Sequence, residues 1–500
     1  MRNTWKKDAI TRGKETDMKD TRTKSTNRRR RVRSYPIIVL TSIYVLLFVG
    51  MIGYIAHYSL THKQEFINND HNTRQKILLK QNQRGKILSR DGDILAYSEK
   101  NENGKEVRVY PYSNEFSHIV GYVSKGKAGI EGFSNYYLIN TNIDLSKKVA
   151  YDTKGMKYPA DNVTTTLDVH LQEIAYSALS SRKGAVVVSD PKTGEILAMV
   201  SKPDFDPNTL EQEWDRLIQD KSPDAKLLNR ATQGKYPPGS TFKIVTALSY
   251  LKEHSTDYMN YSFSCGGRFD YEGNTISCYH GEKHGTLDLE TSFAKSCNSS
   301  FANIGVGLKG ETVDAVLDDL MFNQDLPLDF CRFAVSSSSY PKNHDPNAVM
   351  QLSIGQGKTS ISPEHLNMIT CAIANDGMLM KPYVVSNVKS EDGKEIKTYS
   401  PEEYKRFMSS EEARILRSMM EQVVQRGTAS KLKGLSYTAA GKTGSAEFND
   451  VKDSHAWFTG YAPAEDPQIC VTIIVEEAGS GGSYAVPIAK RIFDAYFEAE

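Results

Sequence analysis

The longest hydrophobic pattern of the chain lies near its N-terminus, where the residues from Ile37 to Ala56 include no charged side chain. A helix of about twenty residues spans about 30 Å, which is the thickness of the hydrocarbon core of a bilayer. The pattern therefore predicts one membrane-spanning helix over residues 36–58. A cleaved signal peptide fits less well, because its hydrophobic region is shorter and no small-x-small cleavage pattern follows Ala56. A buried core helix is disfavoured by the length and purity of the segment.

Shorter patterns follow in residues 59–160. Two apolar runs, Ile87–Leu88 and Ile94–Tyr97, flank an Asp-Gly dipeptide. Asp-Gly between apolar runs is a signal for the turn of a β-hairpin. Because further short strand and turn patterns continue to about Asn140, we interpret residues 59–160 as a β-rich pedestal without catalytic residues.

From Val163 onward the patterns become longer and predict a mixed domain over residues 161–500. Apolar positions at helical spacing begin near Asp168. The strand-like runs are GAVVVS, EILAMVS, HAWFTGYA and QICVTIIVEE, and an amphipathic helix closes the chain. Helices at both ends with antiparallel strands between them predict an α+β fold, in which helices flank an antiparallel sheet. We predict that a helical stretch from about residue 225 to residue 430 is inserted into this domain.

Composition narrows the class of protein. The chain has 500 residues, of which 39% are hydrophobic and 25% charged. These values exclude a polytopic membrane protein, a collagen-like repeat and a wholly disordered chain. The net charge of +1 hides an asymmetry, because residues 1–35 carry 13 basic and 4 acidic side chains, which gives +9 there and −8 in the remainder. We expect this polar, basic tail to be disordered.

The basic cluster between Arg28 and Arg33 predicts the topology of the chain. Positive residues beside a membrane span stay in the cytoplasm, so residues 1–35 are expected inside and the residues after the span outside. A basic run can also bind nucleic acid. Its position directly before a hydrophobic segment favours the topology signal, and we expect no nucleic acid as a partner. The predicted location is the cell membrane, with a single pass and an extracytoplasmic body.

Six cysteines lie in the exported part, too few for disulfides to hold the fold together. Cys265 and Cys278 have a spacing that permits one bridge. With His280 and His284 they also give the pattern C-x12-C-x-H-x3-H, which is compatible with zinc. The first pair lacks the tight C-x2–4-C form, however. We therefore favour free or bridged structural cysteines and expect no metal.

Candidate chemistry begins with Ser240-Thr-Phe-Lys243, which follows Tyr236-Pro-Pro-Gly. Ser-x-x-Lys alone is a weak signal, since eight other serines have a lysine three residues later. Only Ser240 follows a Pro-Pro-Gly stop and opens a long apolar helix. At that position a helix N-terminus and a lysine one turn away can turn a serine hydroxyl into a nucleophile.

Two further motifs carry polar groups that could act together with a nucleophilic serine. In Ser296-Cys-Asn298 a hydroxyl and an amide can face one cleft from a turn, and in Lys442-Thr443-Gly444-Ser445 a lysine and a hydroxyl can bind a carboxylate. Glycine in the latter lets a substrate approach the backbone. The similar Lys192-Thr-Gly lies between two predicted strands and is interpreted as a turn. Gly-Lys-Thr at 357–359 and 441–443 lacks the upstream glycine of a phosphate loop, so we reject nucleotide binding.

The order of the three motifs is more specific than any one of them. Ser-x-x-Lys at 240, Ser-x-Asn at 296 and a later Lys-Thr-Gly form the signature of penicillin-binding proteins and serine β-lactamases. Over residues 36–500 the chain resembles a class B penicillin-binding protein, a monofunctional peptidoglycan D,D-transpeptidase, of the short penicillin-binding protein A type. The stretches DPKTGEILAMVSKPDFDPN and WFTGYAP add to this resemblance.

The resemblance implies a transpeptidase fold with a helical subdomain and a pedestal like a dimerisation domain. It implies that Ser240 attacks a D-Ala-D-Ala stem peptide and that Lys243 is the base for acylation. Ser296 would relay the proton to the leaving amine, and Asn298 would orient Lys243 or the substrate amide. Neither a metal nor an organic cofactor is implied.

The third motif would bind the substrate, with Lys442 and Thr443 on its carboxylate, Gly444 allowing close approach, and the N–H groups of Ser240 and Ser445 forming an oxyanion hole. The implied partners are peptidoglycan stem peptides, β-lactams that acylate the serine, the cytoplasmic membrane, and a glycosyltransferase supplied in trans, for whose domain 500 residues leave no room. A serine β-lactamase is an alternative, but such enzymes are about half as long and need neither pedestal nor anchor. The other alternative is a non-enzymatic β-lactam-binding scaffold of a cell-wall assembly complex.

Overall fold

The computed structural model describes residues 35–61, 73–447 and 453–498, and the chain divides into two units, Met1–Lys63 and Gln64–Glu500. In the first unit the hydrophobic segment forms one helix, α1 (Tyr35–Thr61). Mean hydropathy over Tyr35–Tyr58 is 2.3, so this helix is long and apolar enough to cross a membrane. The predicted helix is confirmed, whereas the predicted disordered tail lies outside the described residues.

The described part of the second unit contains sixteen α-helices and nineteen strands. The helices are α2 (Thr73–Gln81), α3 (Ser117–Val120), α4 (Gly129–Phe133), α5 (Asn135–Ile139), α6 (Leu145–Thr153), α7 (Val169–Leu179), α8 (Leu210–Gln219), α9 (Arg230–Gln233), α10 (Lys243–Glu253), α11 (Leu289–Ala294), α12 (Asn298–Gly307), α13 (Gly310–Asp319), α14 (Pro346–Ser353), α15 (Pro363–Ala374), α16 (Ser410–Arg426) and α17 (Gly481–Glu498). The strands are β1 (Asn82–Gln83), β2 (Ile87–Leu88), β3 (Ile94–Lys100), β4 (Glu106–Val109), β5 (Tyr158–Pro159), β6 (Asn162–Thr165), β7 (Gly184–Ser189), β8 (Ile196–Lys202), β9 (Phe263–Cys265), β10 (Arg268–Tyr271), β11 (Asn274–Ser277), β12 (Gly285–Leu287), β13 (Met378–Met380), β14 (Val385–Lys389), β15 (Glu395–Thr398), β16 (Glu403–Arg406), β17 (Ala440–Ala446), β18 (His455–Ala462) and β19 (Ile469–Val475).

The pedestal contains the predicted hairpin, because β2 and β3 pair antiparallel across the Asp-Gly turn. They belong to a six-stranded sheet with the order β15-β14-β6-β2-β3-β4. Three of these strands, β6, β14 and β15, lie after residue 160 in the sequence. The boundary at residue 160 stays a prediction, and the sheet takes strands from both sides of it.

A five-stranded antiparallel sheet with the order β17-β18-β19-β7-β8 is the centre of the larger domain. Every residue of β7, β18 and β19 is buried, because α7 and α17 pack against the sheet and α15 also packs against it. A sheet covered on both faces has nearly continuous apolar strands, as this sequence does. Helix α7 begins as predicted, since the Asp168 carboxylate accepts a hydrogen bond from Leu171 N at 2.9 Å.

The prediction of a helical stretch from about residue 225 to residue 430 was incomplete. This stretch also contains eight short strands, β9 to β16. Strands β9 to β12 form two antiparallel pairs, β9 with β12 and β10 with β11. These strands are only three or four residues long and are separated by glycine turns, so they lack the long apolar period that sequence reasoning detects.

Candidate active site

The serine of the first motif lies in a short 3-10 turn, Gly239–Phe242, that runs directly into α10. Gly239 has a φ of +53°, and a Cβ at this position would stand 2.7 Å from the Ser445 carbonyl oxygen, so only glycine fits. The Trp457 indole N–H fixes the preceding turn by donating to the Pro237 carbonyl at 3.0 Å. Ser240 was predicted at the start of a helix. In the structure it lies one turn before α10, beside the edge of the central sheet.

The second motif forms the junction between α11 and α12, which agrees with the predicted turn between helices. Ser296 has a φ of +54°, the left-handed conformation that reverses the chain between the two helices. Cys297 is the N-cap of α12, where its sulfur accepts from Ser300 N at 3.4 Å. The side chains of Ser296 and Asn298 consequently both face the first motif.

Lys243 connects these two motifs. Its ammonium donates to the Ser296 carbonyl at 2.6 Å, to the Ser296 hydroxyl at 3.2 Å and to Asn298 Oδ1 at 2.7 Å. The side chain is fully buried, and its Nζ lies 5.5 Å from the centre of the Phe301 ring. Burial lowers the pKa of Lys243 to about 7, because a charged amine loses its hydration there.

A second lysine, Lys442, also contacts Ser296. Its Nζ donates to the Ser296 hydroxyl at 2.9 Å and to the Thr443 carbonyl at 3.0 Å, and this side chain is also fully buried. Burial and the nearby charge of Lys243 hold the pKa of Lys442 well below its ordinary value. In the part of the chain that the structure describes, no carboxylate lies within ion-pair distance of either lysine. The Ser296 hydroxyl therefore bridges two amines that both favour loss of a proton.

The third motif lies on β17, which is an edge strand of the central sheet. A Cβ at Gly444 would stand 3.0 Å from Thr241 Cγ2 and 3.1 Å from the Pro238 carbonyl oxygen. Glycine at this position therefore lets the strand pass close to the turn that carries the serine. The Thr443 hydroxyl pairs with that of Thr428, which belongs to the Gly-Thr-Ala stretch at 427–429.

The motifs surround a cleft of about 750 Å³. Of the predicted site residues, the six that line it are Ser240, Ser296, Asn298, Thr443, Gly444 and Ser445. Lys243 and Lys442 are not at its surface but buried behind it. Sequence reasoning missed other lining residues, which come from separate segments and include Gln351, Gln356, Glu447 and Ser480–Ser483. These are polar residues and glycines that lie outside the three motifs.

The Ser240 hydroxyl is half-buried and lines the cleft. Among the residues that the structure describes it has no hydrogen-bond partner, and Lys243 is directed instead to the second motif. Catalytic hydrogen bonds are often long before substrate binds, so this geometry is compatible with a nucleophile at Ser240. The arrangement brings together a free hydroxyl, a lysine that is partly neutral at neutral pH, and a hydroxyl that can carry a proton between amines.

Comparison with protein families defines the class. Residues 184–494 match the penicillin binding protein transpeptidase domain, and residues 84–163 match the penicillin binding protein A dimerisation domain. The transpeptidase match covers more than half of the chain, so the chain belongs to the penicillin-binding protein transpeptidase family. The family predicted from the three motifs is confirmed, and so is its mixed helix-and-sheet fold.

Individual relatives are of the same kind. The peptidoglycan D,D-transpeptidase PbpA of Mycolicibacterium smegmatis is 32% identical over 454 residues, which cover 84% of this chain and 91% of that protein. PbpA of Mycobacterium tuberculosis is 30% identical and covers 85% and 92%. The solved imipenem acyl-enzyme complex of penicillin-binding protein A from M. tuberculosis superposes with a TM-score of 0.76 at 28% identity, covering 83% of this chain and 99% of that one.

Proposed function

We propose that this chain is a peptidoglycan D,D-transpeptidase that cross-links stem peptides through an acyl-enzyme on Ser240. Family membership supports the reaction class. The observation that carries the residue assignment is the convergence of three distant motifs at one cleft, with Lys243 and Lys442 both bonded to Ser296. The acyl-enzyme complexes of the M. tuberculosis relative support a covalent route and inhibition by β-lactams.

In acylation, Ser240 Oγ attacks the carbonyl carbon of the penultimate D-Ala, and neutral Lys243 takes the hydroxyl proton. The bond to the terminal D-Ala nitrogen breaks, and the proton reaches that nitrogen through the Ser296 hydroxyl, 3.2 Å from Lys243 Nζ. The low pKa of Lys243 makes its neutral form available near pH 7. Asn298 accepts from Lys243 at 2.7 Å, which favours the role of orienting the lysine.

The edge strand β17 binds the substrate in this proposal. An extended peptide can add to a free sheet edge through its main chain. Thr443 lines the cleft and donates to the substrate carboxylate, and the arrival of that carboxylate favours the charged form of Lys442, which is buried behind it. The N–H groups of Ser240 and Ser445 stabilise the oxyanion. An amine from a neighbouring stem peptide then attacks the ester and releases Ser240, which completes the cross-link.

The apolar helix α1 anchors the enzyme in the cell membrane, with the basic N-terminal residues in the cytoplasm. A tag at the N-terminus should resist protease added to intact spheroplasts, and its cleavage there would contradict this orientation. A membrane glycosyltransferase supplies the glycan strands. In a reconstituted assay, the purified chain should cross-link lipid-linked precursors only when such a polymerase is added.

The nucleophile is tested by mass spectrometry of the purified full-length chain after treatment with fluorescent penicillin. We expect one labelled peptide, containing Ser240, and no label in Ser240→Ala. Ser430→Ala is the matched control, because Ser430 is exposed and also precedes a lysine by three residues. Label on Ser240→Ala would refute the assignment. Full complementation of a deletion strain by Ser240→Ala would favour the scaffold alternative.

A further inference from the structure

Four metal-binding side chains lie beside the active site and have no part in the mechanism above. The sulfur atoms of Cys265, Cys278 and Cys297 and a ring nitrogen of His284 all lie within 4.8 Å of one another. Cys278 Sγ is 3.6 Å from both other sulfurs, and Cys265 Sγ is 3.4 Å from His284 Nδ1. All three thiols are buried. We call these four residues the thiol cluster.

The spacing within the thiol cluster fits a tetrahedral zinc ion. Zn–S bonds of about 2.3 Å and Zn–N bonds of about 2.0 Å place neighbouring sulfurs about 3.8 Å apart and sulfur and nitrogen about 3.5 Å apart. A disulfide between Cys265 and Cys278, which the sequence left open, requires sulfurs at about 2.05 Å. Both cysteines are free thiols in this structure, so the arrangement fits a metal better than a bridge.

The lobe formed by β9 to β12 has little hydrophobic core of its own. Leu287 and the three cysteines form a small cluster with Phe263 packed against it, and Ile276 of the same lobe belongs to the main core instead. Small lobes of this kind usually need a crosslink or a metal to be stable. One ion here would join the end of β9, the end of β11, the start of β12 and the start of α12.

His284 is oriented as a metal ligand, and its neighbour His280 is not. The His284 side chain is 4% exposed, with Nδ1 toward Cys265 and Nε2 3.6 Å from the Glu282 carboxylate. A carboxylate beside the second ring nitrogen is the usual device that orients a metal-bound histidine. His280 is exposed and packs on Tyr279. The spacing noted in the sequence therefore included one wrong ligand and missed Cys297.

We propose that Cys265, Cys278, His284 and Cys297 bind one Zn²⁺ ion, which holds the second catalytic motif in position. On binding, the three thiol protons pass to solvent and the sulfurs coordinate as thiolates. Cys297 is the middle residue of Ser296-Cys-Asn298, and both of its sequence neighbours bond the Lys243 ammonium. The ion therefore acts as a positioning element for the base and does not touch the substrate.

The metal is tested on the full-length chain, purified in detergent without chelator, by elemental analysis. We expect about one zinc per chain, lost in Cys265→Ser and in His284→Ala. Cys331→Ser and His280→Ala are matched controls that keep the zinc. Replacement with Co²⁺ should give the charge-transfer bands of cobalt thiolates. A zinc content below about one-tenth per chain in the wild-type protein, or a cobalt spectrum without thiolate bands, would overturn the site.

Positioning is tested on the wild-type protein, which avoids variants that fail to fold. Removal of zinc with a chelator should slow acylation by fluorescent penicillin at least ten-fold, and added Zn²⁺ should restore it. Unchanged acylation after complete removal would overturn the positioning role. Ser240→Ala should still bind one zinc, so failure of the proposed nucleophile and failure of the metal site give different results.

Discussion

The pedestal and the active site both bury charged side chains, and they do so in opposite ways. In the pedestal, Glu131 is fully buried and contacts Arg84 and Arg108, each at 2.6 Å. In the active site, Lys243 and Lys442 are equally buried, share one hydroxyl and have no carboxylate partner within the described ranges. Buried opposite charges in contact are costly to separate, whereas unpaired like charges shift their pKa values, which is typical of a site of chemistry.

The pKa values follow this contrast. Burial by itself would raise the pKa of Glu131, but Arg108 and Arg84 hold it below its ordinary value. Glu131 therefore keeps its charge throughout the physiological range. Burial lowers the pKa of Lys243 to about 7, and the nearby thiols of Cys297 and Cys278 oppose that shift only in part. The pedestal thus has a permanent charge network, and the active site has one that can release a proton.

The largest expected effect is on the active-site side of the comparison. Lys243→Ala should lower the rate of acylation by fluorescent penicillin by about 10⁴-fold, because the proposed general base is lost. The free energy of unfolding should not fall, since the substitution also removes a buried unpaired charge. Lys252→Ala, on the same helix and paired with Asp319 at 3.0 Å, is the control and should keep its rate. Equal loss in both variants would contradict the assignment of the base.

In the pedestal, a substitution should lower stability and leave the rate of acylation unchanged. Glu131→Gln leaves two buried arginines without their counter-charge, which should lower the free energy of unfolding by about 3–5 kcal/mol. Denaturation of the full-length chain measures this loss, and acylation per folded molecule should stay unchanged. Glu106→Gln breaks only the half-exposed pair with Lys157 and should cost about 1 kcal/mol or less. If the Glu131→Gln variant is as stable as the wild-type protein, the buried Glu131 network does not stabilise the pedestal.

A smaller effect is expected at the cleft surface. Thr443→Val removes the hydroxyl that we propose donates to the substrate carboxylate, and hydrogen bonds to charged groups contribute about 1.5–3 kcal/mol. The second-order rate of acylation by penicillin should therefore fall about 10- to 150-fold. With a penicillin methyl ester, which lacks the carboxylate charge, the same substitution should lower the acylation rate much less. If the substitution lowers the acylation rate by the same factor for the ester and for the acid, Thr443 does not bind the carboxylate.

The smallest effect is the pH dependence. In the proposed mechanism Lys243 acts as a base only when neutral, and its pKa of about 7 means that the neutral fraction rises as pH increases through 7. Acylation of the wild-type protein should accordingly increase about ten-fold from pH 6 to pH 8 and level off above that. Stopped-flow measurements with fluorescent penicillin test this directly. A flat profile, or a rate that falls over this range, would show that Lys243 is not the titrating base.

Much of the fold was predictable because local patterns and final structure agree. The Asp-Gly hairpin of β2 and β3, the start of α7 at Asp168 and the apolar strands of the central sheet all follow from short-range chemistry. The small strands β9 to β12 were not predictable, since three or four residues carry no reliable period. Neither was the contribution of β14 and β15 to the pedestal sheet, because that pairing joins segments more than 200 residues apart.

By itself the sequence determined the family, the long apolar helix near the N-terminus and the identity of the motif residues, because each depends on residue type and spacing along the chain. Only the tertiary structure decided that Lys243 and Lys442 meet at one hydroxyl, behind the cleft rather than in it. It also replaced His280 with Cys297 in the thiol cluster. The physical reason is the same for the lysine pair and for the thiol cluster. Burial and the distances between residues remote in sequence set pKa values and metal geometry, and the local spacing of residues along the chain does not reveal them.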